Sequence, residues 1–202
     1  MFTSRDKEVG YDESESQAIT LADGGSSSDS KSVTINGDTI TITEEGTYIL
    51  SGKLTNGQIK VNVHEKSKVQ LVLNGVDITS ASSAAIYAVQ ADKVFITMAE
   101  GSANTLSTTG AFESDGDTNV DGVIFAKCDL TLNGSGTMTV NSTNGHGIVS
   151  KDDLVATSGT YQITAANHGL TGKDSVRIAD GTYTVSSGKD AIHSENTDNT
   201  TK

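Results

Sequence analysis

Apolar and polar residues alternate in short β-branched runs along the chain: residues 32–35 (SVTI), 39–43 (TITIT), 69–73 (VQLVL) and 94–98 (VFITM). A period of two puts one set of side chains on each face of a strand, and glycine-containing pairs between such runs supply the turns. Asn36-Gly37, Asn56-Gly57 and Asn74-Gly75 mark turns that call for positive φ. No long stretch shows the 3.6-residue period of a helix, so the pattern predicts an all-β chain.

The runs recur. Gly136, Gly159 and Gly181 each open a similar string (GTMTV, GTYQI, GTYTV), at spacings of 23 and 22 residues. At the same step Ile148 aligns with Leu170 and Ile192, Leu154 with Val176, and Ala156 with Ile178. Upstream, residues 127–130 match 151–154 at 24, and Val69, Leu71 and Leu73 match Val94, Ile96 and Met98 at 25. Leucine-rich repeats have this length but need regular leucines, which are missing. Each unit holds three short strand-like segments instead, for example 160–165, 169–172 and 175–179. The expected fold is therefore a right-handed parallel β-helix with three short strands and 22–25 residues per coil. Equivalent residues become vertical neighbours: Met138, Tyr161 and Tyr183 in one inward stack, Val140, Ile163 and Val185 in another. Residues 32–202 form this helix. Residues 1–31 precede it as an N-terminal segment and a flexible connector (24–32, GGSSSDSKS). No cap follows the last strand-like segment, which leaves an open edge and an expected truncation, disordered tail or partner there.

Composition narrows the function. Hydrophobic residues are 34% and aromatics 4%. That is lean for a globule, but stacking in a narrow interior can bury a continuous core with few large side chains. Fourteen Lys and Arg against 26 Asp and Glu give a net charge of −12, which argues against nucleic acid as a partner. No apolar run reaches the roughly 20 residues that span a bilayer, and no signal peptide is visible. Cys128 is the single cysteine, which excludes a disulfide framework and reads as a structural bystander.

Three constellations carry oxygen or nitrogen ligands. Asp115, Asp117, Asn119 and Asp121 alternate as in the first half of an EF-hand loop. The bidentate Glu is missing, because Ala126 stands at the twelfth position, so calcium and a solvated acidic loop are both open readings. Asp152, Asp174 and Asn196 fall in one column at steps of 22, Lys151, Lys173 and Glu195 in the next, and Asp129 and Asp153 pair at 24. Like charges about 5 Å apart in adjacent strands repel. A shared divalent ion offsets that, and so do Asp side chains that cap backbone N–H groups between coils. His146, His168 and Asp190 also align at 22, as a metal or acid–base cluster or as surface and packing residues. No Gly-x-Ser-x-Gly elbow or triad spacing is present.

Residues 2–12 (FTSRDKEVGYD), 69–76 (VQLVLNGV), 91–96 (ADKVFI), 147–154 (GIVSKDDL) and 171–175 (TGKDS) resemble the bacterial carbohydrate-binding family first described from a cellulolytic clostridium. The resemblance implies an extracellular, pectate-lyase-like right-handed β-helix that binds cellulose and acidic sugars such as polygalacturonate with bound calcium. Where that family reads Asp-Gly-Ile, this chain has His146-Gly147-Ile148 and His168-Gly169-Leu170. Asp190-Ala191-Ile192 keeps the acid. Lys127-Cys128-Asp129-Leu130 also lacks one carboxylate of the family's Lys-Asp-Asp-Leu.

The function expected from these readings is a secreted protein that binds plant cell-wall polysaccharide. Calcium would be held among Asp115, Asp117, Asn119, Asp121, Asp129, Asp152, Asp153, Asp174, Asp190, Glu195 and Asn196, with Lys151, Lys173 and Arg177 contacting the sugar. Bound calcium reverses the local sign of an acidic surface and bridges it to uronate carboxylates. Tyr87, Tyr161 and Tyr183 are the only options for stacking a neutral glucan. The alternatives are a calcium-dependent polysaccharide lyase with Lys151 or Lys173 as base, or a structural module such as a stalk, an adhesin or an ice-binding ladder.

Overall fold

The computed structural model describes residues 2–196; the end of the stretch assigned above to the β-helix, 197–202, lies outside the described residues. Among the described residues there are nineteen strands and one 3₁₀ turn, Arg5–Lys7. Strand formation follows the sequence pattern locally. In Thr137–Ser142 every second side chain is buried, and Thr160–Ala165 does the same. Before Thr160–Ala165 and Thr182–Ser187, Gly159 and Gly181 turn the chain at φ of 108° and 119°. The following tyrosines then fold back, Tyr161 Oη donating to Ser158 O at 2.7 Å and Tyr183 Oη to Asp180 O at 2.9 Å.

The strands pair in parallel with the spacing the sequence indicates. Met138 lies beside Tyr161 and Tyr161 beside Tyr183, with Val140, Ile163 and Val185 in step. Ile148, Leu170 and Ile192 form a second row, and Leu154 pairs with Val176 and Ala156 with Ile178. Val69, Leu71 and Leu73 meet Val94, Ile96 and Met98. These rows make one apolar interior that runs from Ile19 to Leu170, with Val176, Tyr183 and Val185 packed half-buried at its end.

The higher-order arrangement corrects the expected single β-helix of three strand stacks. The strands gather into two sheets, one curled and eleven-stranded, the other eight-stranded, in a sandwich-like arrangement. The cause is the strand Lys68–Ser80. Its first half pairs with Lys93–Met98 and its second half with Ala103–Thr108, so two columns that read as separate in sequence are one curled sheet. The eight-stranded sheet also begins with an antiparallel hairpin, Val33–Asn36 against Thr39–Ile42.

The N-terminal residues are part of the fold. Gln17–Leu21 pairs in parallel with Gly46–Leu54. Within residues 24–32, Ser27 exchanges a reciprocal pair of main-chain hydrogen bonds with Thr20. Asp6 is 1% exposed and lies against the outer face of the eleven-stranded sheet.

Candidate functional site

The turns that follow His146–Ser150 and Leu170–Gly172 stack directly. Lys173 N donates to Ser150 O at 3.0 Å and Asp174 N to Asp152 O at 3.1 Å. This places Lys151-Asp152 above Lys173-Asp174, and Asn196 Nδ2 reaches Asp174 O at 3.4 Å in the following turn. The lysines, with Val149, Ser150, Thr171 and Glu195, line an open pocket of about 550 Å³. The Thr171 hydroxyl oxygen is buried there without a hydrogen-bond partner among the described residues. The Lys151 ammonium lies over the Phe125 ring, 5.1 Å from its centre.

The acids beside this pocket are not equivalent. Asp153 accepts from Ser175 Oγ and from Arg177, both at 2.6 Å, which ties Arg177 to the protein itself. Asp129 Oδ1 accepts from Asp153 N at 3.3 Å, and burial raises the Asp129 carboxyl above its ordinary range despite the charge of Lys93. The Asp152 carboxyl is raised too, first by burial and then by the charges of Asp129, Asp174 and Asp153. A cation among these groups would favour their charged forms.

The acidic loop is arranged differently. Asp115 Oδ2 accepts from Tyr87 Oη at 3.0 Å, and Asp115 and Thr118 bond each other through the main chain. Asp117 is exposed. Asn119 Nδ2 donates to Asp121 Oδ2 at 2.9 Å, and the other Asp121 oxygen is buried and unpartnered among the described residues. Three or more acids of this loop do not converge on one point. Among the described residues the single set of three His, Cys, Asp or Glu ligand atoms lying within 4.8 Å of one another is His168, Asp190 and His193.

That set belongs to a ladder of stacked imidazoles, His146 on His168 at 5.1 Å and His168 on His193 at 4.0 Å. His146 Nδ1 accepts from His168 N at 3.3 Å, and His168 Nδ1 accepts from Asp190 N at 3.1 Å. Each ring therefore caps the main chain of the next turn with its unprotonated nitrogen. Burial lowers the pKa of both rings. His193 is raised instead, first by Glu195 at 2.9 Å on Nε2 and then by Asp190 at 3.0 Å on Nδ1. The column is thus a capping ladder in which the Nδ1 atoms of His146 and His168 and both ring nitrogens of His193 are engaged. The repeat spacing revealed His146, His168 and Asp190. Nothing in the spacing pointed to His193, which lies three residues past Asp190 on the same strand end.

A sequence model of the carbohydrate-binding domain-containing protein family matches residues 36–202. The chain belongs to this family. A carbohydrate-binding domain-containing protein of Acetivibrio thermocellus is 37% identical over 128 residues, covering 62% of this chain and 45% of that protein. The carbohydrate-binding chain thus spans less than half the length of this curated relative. Its fold is similar to the solved structure of the polysaccharide lyase-like protein from C. thermocellum, a gadolinium derivative, with a TM-score of 0.87 and 34% identity. The likeness covers 93% of this chain and 77% of that one.

Proposed function

We propose that this carbohydrate-binding domain holds an acidic plant cell-wall polysaccharide of the polygalacturonate type, outside the cell, at the stacked Lys-Asp turns. The observation that carries the reading is the pocket between Lys151 and Lys173, with Asp152 and Asp174 alongside. Two ammonium groups repeated at one strand spacing suit a polymer with repeated carboxylates, and the unpartnered Thr171 hydroxyl offers a hydrogen bond to a sugar hydroxyl. Arg177 is less suited to sugar contact, because it is bonded to Asp153. Tyr87 and Tyr161 are buried, which removes two of the three rings able to stack on cellulose.

Calcium would be held here by Asp152 and Asp174, with Asp129 nearby. These are hard oxygen ligands, and burial first and then the neighbouring carboxylates raise the Asp152 carboxyl. When bound, the ion supplies positive charge between protein and uronate carboxylates. The solved neighbour is a gadolinium derivative, and gadolinium shares calcium's preference for oxygen. Asp190 and Glu195 are less suited, since both are engaged by His193.

A pull-down on insoluble polygalacturonate, with and without chelator, tests the reading. Retention is expected in calcium, with loss in chelator and in Lys151→Ala/Lys173→Ala. Undiminished retention in chelator removes calcium from the proposal, and full retention by the double variant removes the site.

The description of the solved neighbour as lyase-like favours a second reading, β-elimination from a uronate. Lys151 or Lys173 would have to accept the C5 proton. Ultraviolet absorbance of an unsaturated product decides it: no increase at high protein concentration dismisses the lyase.

A further inference from the structure

A second built site lies on the outer face of the eleven-stranded sheet, apart from the pocket above and independent of its proposed ligand. Lys93, Phe95 and Thr97 point outward from one strand and stand beside Asp129, Thr131 and Asn133 of the next. Gln70 flanks them on one side and Thr157 on the other. A polar row runs across these strands, Gln70 Nε2 donating to Thr97 Oγ1 at 3.0 Å and Thr97 Oγ1 to Asn133 Oδ1 at 2.6 Å.

Residues 3–8 lie across this row and are read group by group. The Asp6 carboxylate accepts from Lys93 Nζ and from Thr131 Oγ1, each at 2.8 Å. The Asp6 carbonyl accepts from Thr157 Oγ1 at 2.7 Å and from Asn133 Nδ2 at 3.1 Å, and the same Asn133 amide reaches Glu8 O at 3.1 Å. The Arg5 guanidinium lies over the Phe95 ring, 4.5 Å from its centre, and donates to Gln70 Oε1 at 3.0 Å.

We infer that this face is a receptor groove for a short peptide bearing an Arg-Asp pair in a 3₁₀ turn, filled in cis by residues 3–8 and able to take the same segment from a second copy of the chain. The chemistry selects a peptide. It recognises two main-chain carbonyls two residues apart, a carboxylate and a guanidinium, and a uronate polymer offers only the carboxylate. The side chain of Lys93 is 10% exposed and has Asp6 as its close anionic partner, Asp129 standing off at 3.8 Å. An empty groove would leave that ammonium poorly paired, which drives refilling by any segment of the right sequence. A second copy supplies one. The hydrogen bonds from the groove reach residues 65 to 151 positions away in sequence. Only the stretch 9–16 ties the segment to the rest of the chain. It is largely exposed, and Gly10 has open space around it.

The test uses the full-length chain carrying Asp6→Lys, which repels its own segment from Lys93, and a fluorescent peptide of residues 2–9. Anisotropy should show saturable binding to the Asp6→Lys chain. The peptide with Asp6→Asn should bind roughly tenfold more weakly or worse, as the loss of a charged hydrogen bond implies. A chain carrying Lys93→Glu should not bind the wild-type peptide. Mixing the Asp6→Lys and Lys93→Glu chains should give a heterodimer that neither forms alone. Circular dichroism checks that both variants are folded. If Asp6→Lys is not, Asp6→Asn in the full chain takes its place under excess peptide. A folded variant that ignores the peptide, or equal binding by the Lys93→Glu chain, overturns the inference. Displacement of the peptide by trigalacturonate would reassign the groove to sugar and overturn it as well.

Discussion

Replacing Asp6 with alanine isolates the energetics of the N-terminal segment. The substitution removes the carboxylate from Lys93 Nζ, Thr131 Oγ1 and the Thr3 main chain and hydroxyl. Breaking one side of a buried ion pair costs about 3–5 kcal/mol. Two features hold the loss to the lower end. Asp129 stays 3.8 Å from Lys93, and release of residues 3–8 would let water reach the ammonium. A loss of about 3 kcal/mol is expected, or roughly 6–12 °C in melting temperature for a domain of this size. Removing the orphaned charge as well, in Asp6→Ala/Lys93→Met, should recover part of it. Urea and thermal unfolding followed by circular dichroism measure both. Acid supplies the internal control. Burial pushes the Asp6 carboxyl upward, but the bonds from Lys93, Thr3 and Thr131 outweigh it and hold the group well below the ordinary carboxylate range. A carboxyl lowered in the folded state stabilises above its unfolded pKa of about 3.9, and the contribution fades as pH falls below that value. The gap between wild type and Asp6→Ala should therefore narrow below about pH 4. An Asp6→Ala chain that melts within about 1 °C of wild type at neutral pH would refute the account, since a buried pair cannot be broken that cheaply.

Other consequences are equally direct. His146 and His168 have lowered pKa values, so their caps contribute above the unfolded pKa of about 6.5 and weaken as pH falls through it. His146→Asn/His168→Asn keeps an acceptor without a proton to gain, and its melting temperature should change less between pH 7.5 and 5 than that of wild type. Tyr161→Ala empties a fully buried site stacked on Tyr183 at 4.9 Å and should cost about 3–5 kcal/mol in urea unfolding. Cys128 is buried and its thiol is pushed up to about 12, by burial first and then by Asp129 and Asp152. A thiol reagent should label it only on unfolding, and labelling of the native chain at the unfolded rate would contradict its placement.

The vertical register was legible in the sequence because stacking demands the same residue class at the same step. Met138, Tyr161 and Tyr183 align by eye and pair in space. The two-sheet arrangement was not. Asn74-Gly75 reads as a turn, with Gly75 at a φ of 78°, yet the strand continues from Lys68 to Ser80 across a register shift there and joins two columns. Local turn chemistry cannot report that the hydrogen bonds on either side belong to different neighbours. Within the candidate site, spacing brought Asp152 over Asp174 and placed both lysines at the pocket. It did not foresee that Arg177 would be bound by Asp153, because the partner comes from the neighbouring strand Asp153–Ala156 through side-chain reach. The role of Asp6 was invisible for a simpler reason: its partners Lys93, Thr131 and Thr157 lie far along the chain and share no period with it.

The clasp formed by Asp6 also sets an order of events during synthesis. Its seat is finished by Asn133 and Thr157, so Asp6 has nowhere to settle until Thr157, 151 residues further along, has been made. Until it is, Lys93 and Thr131 face solvent on a nascent sheet whose next strand has yet to arrive, the interval in which a neighbouring chain is best able to intrude.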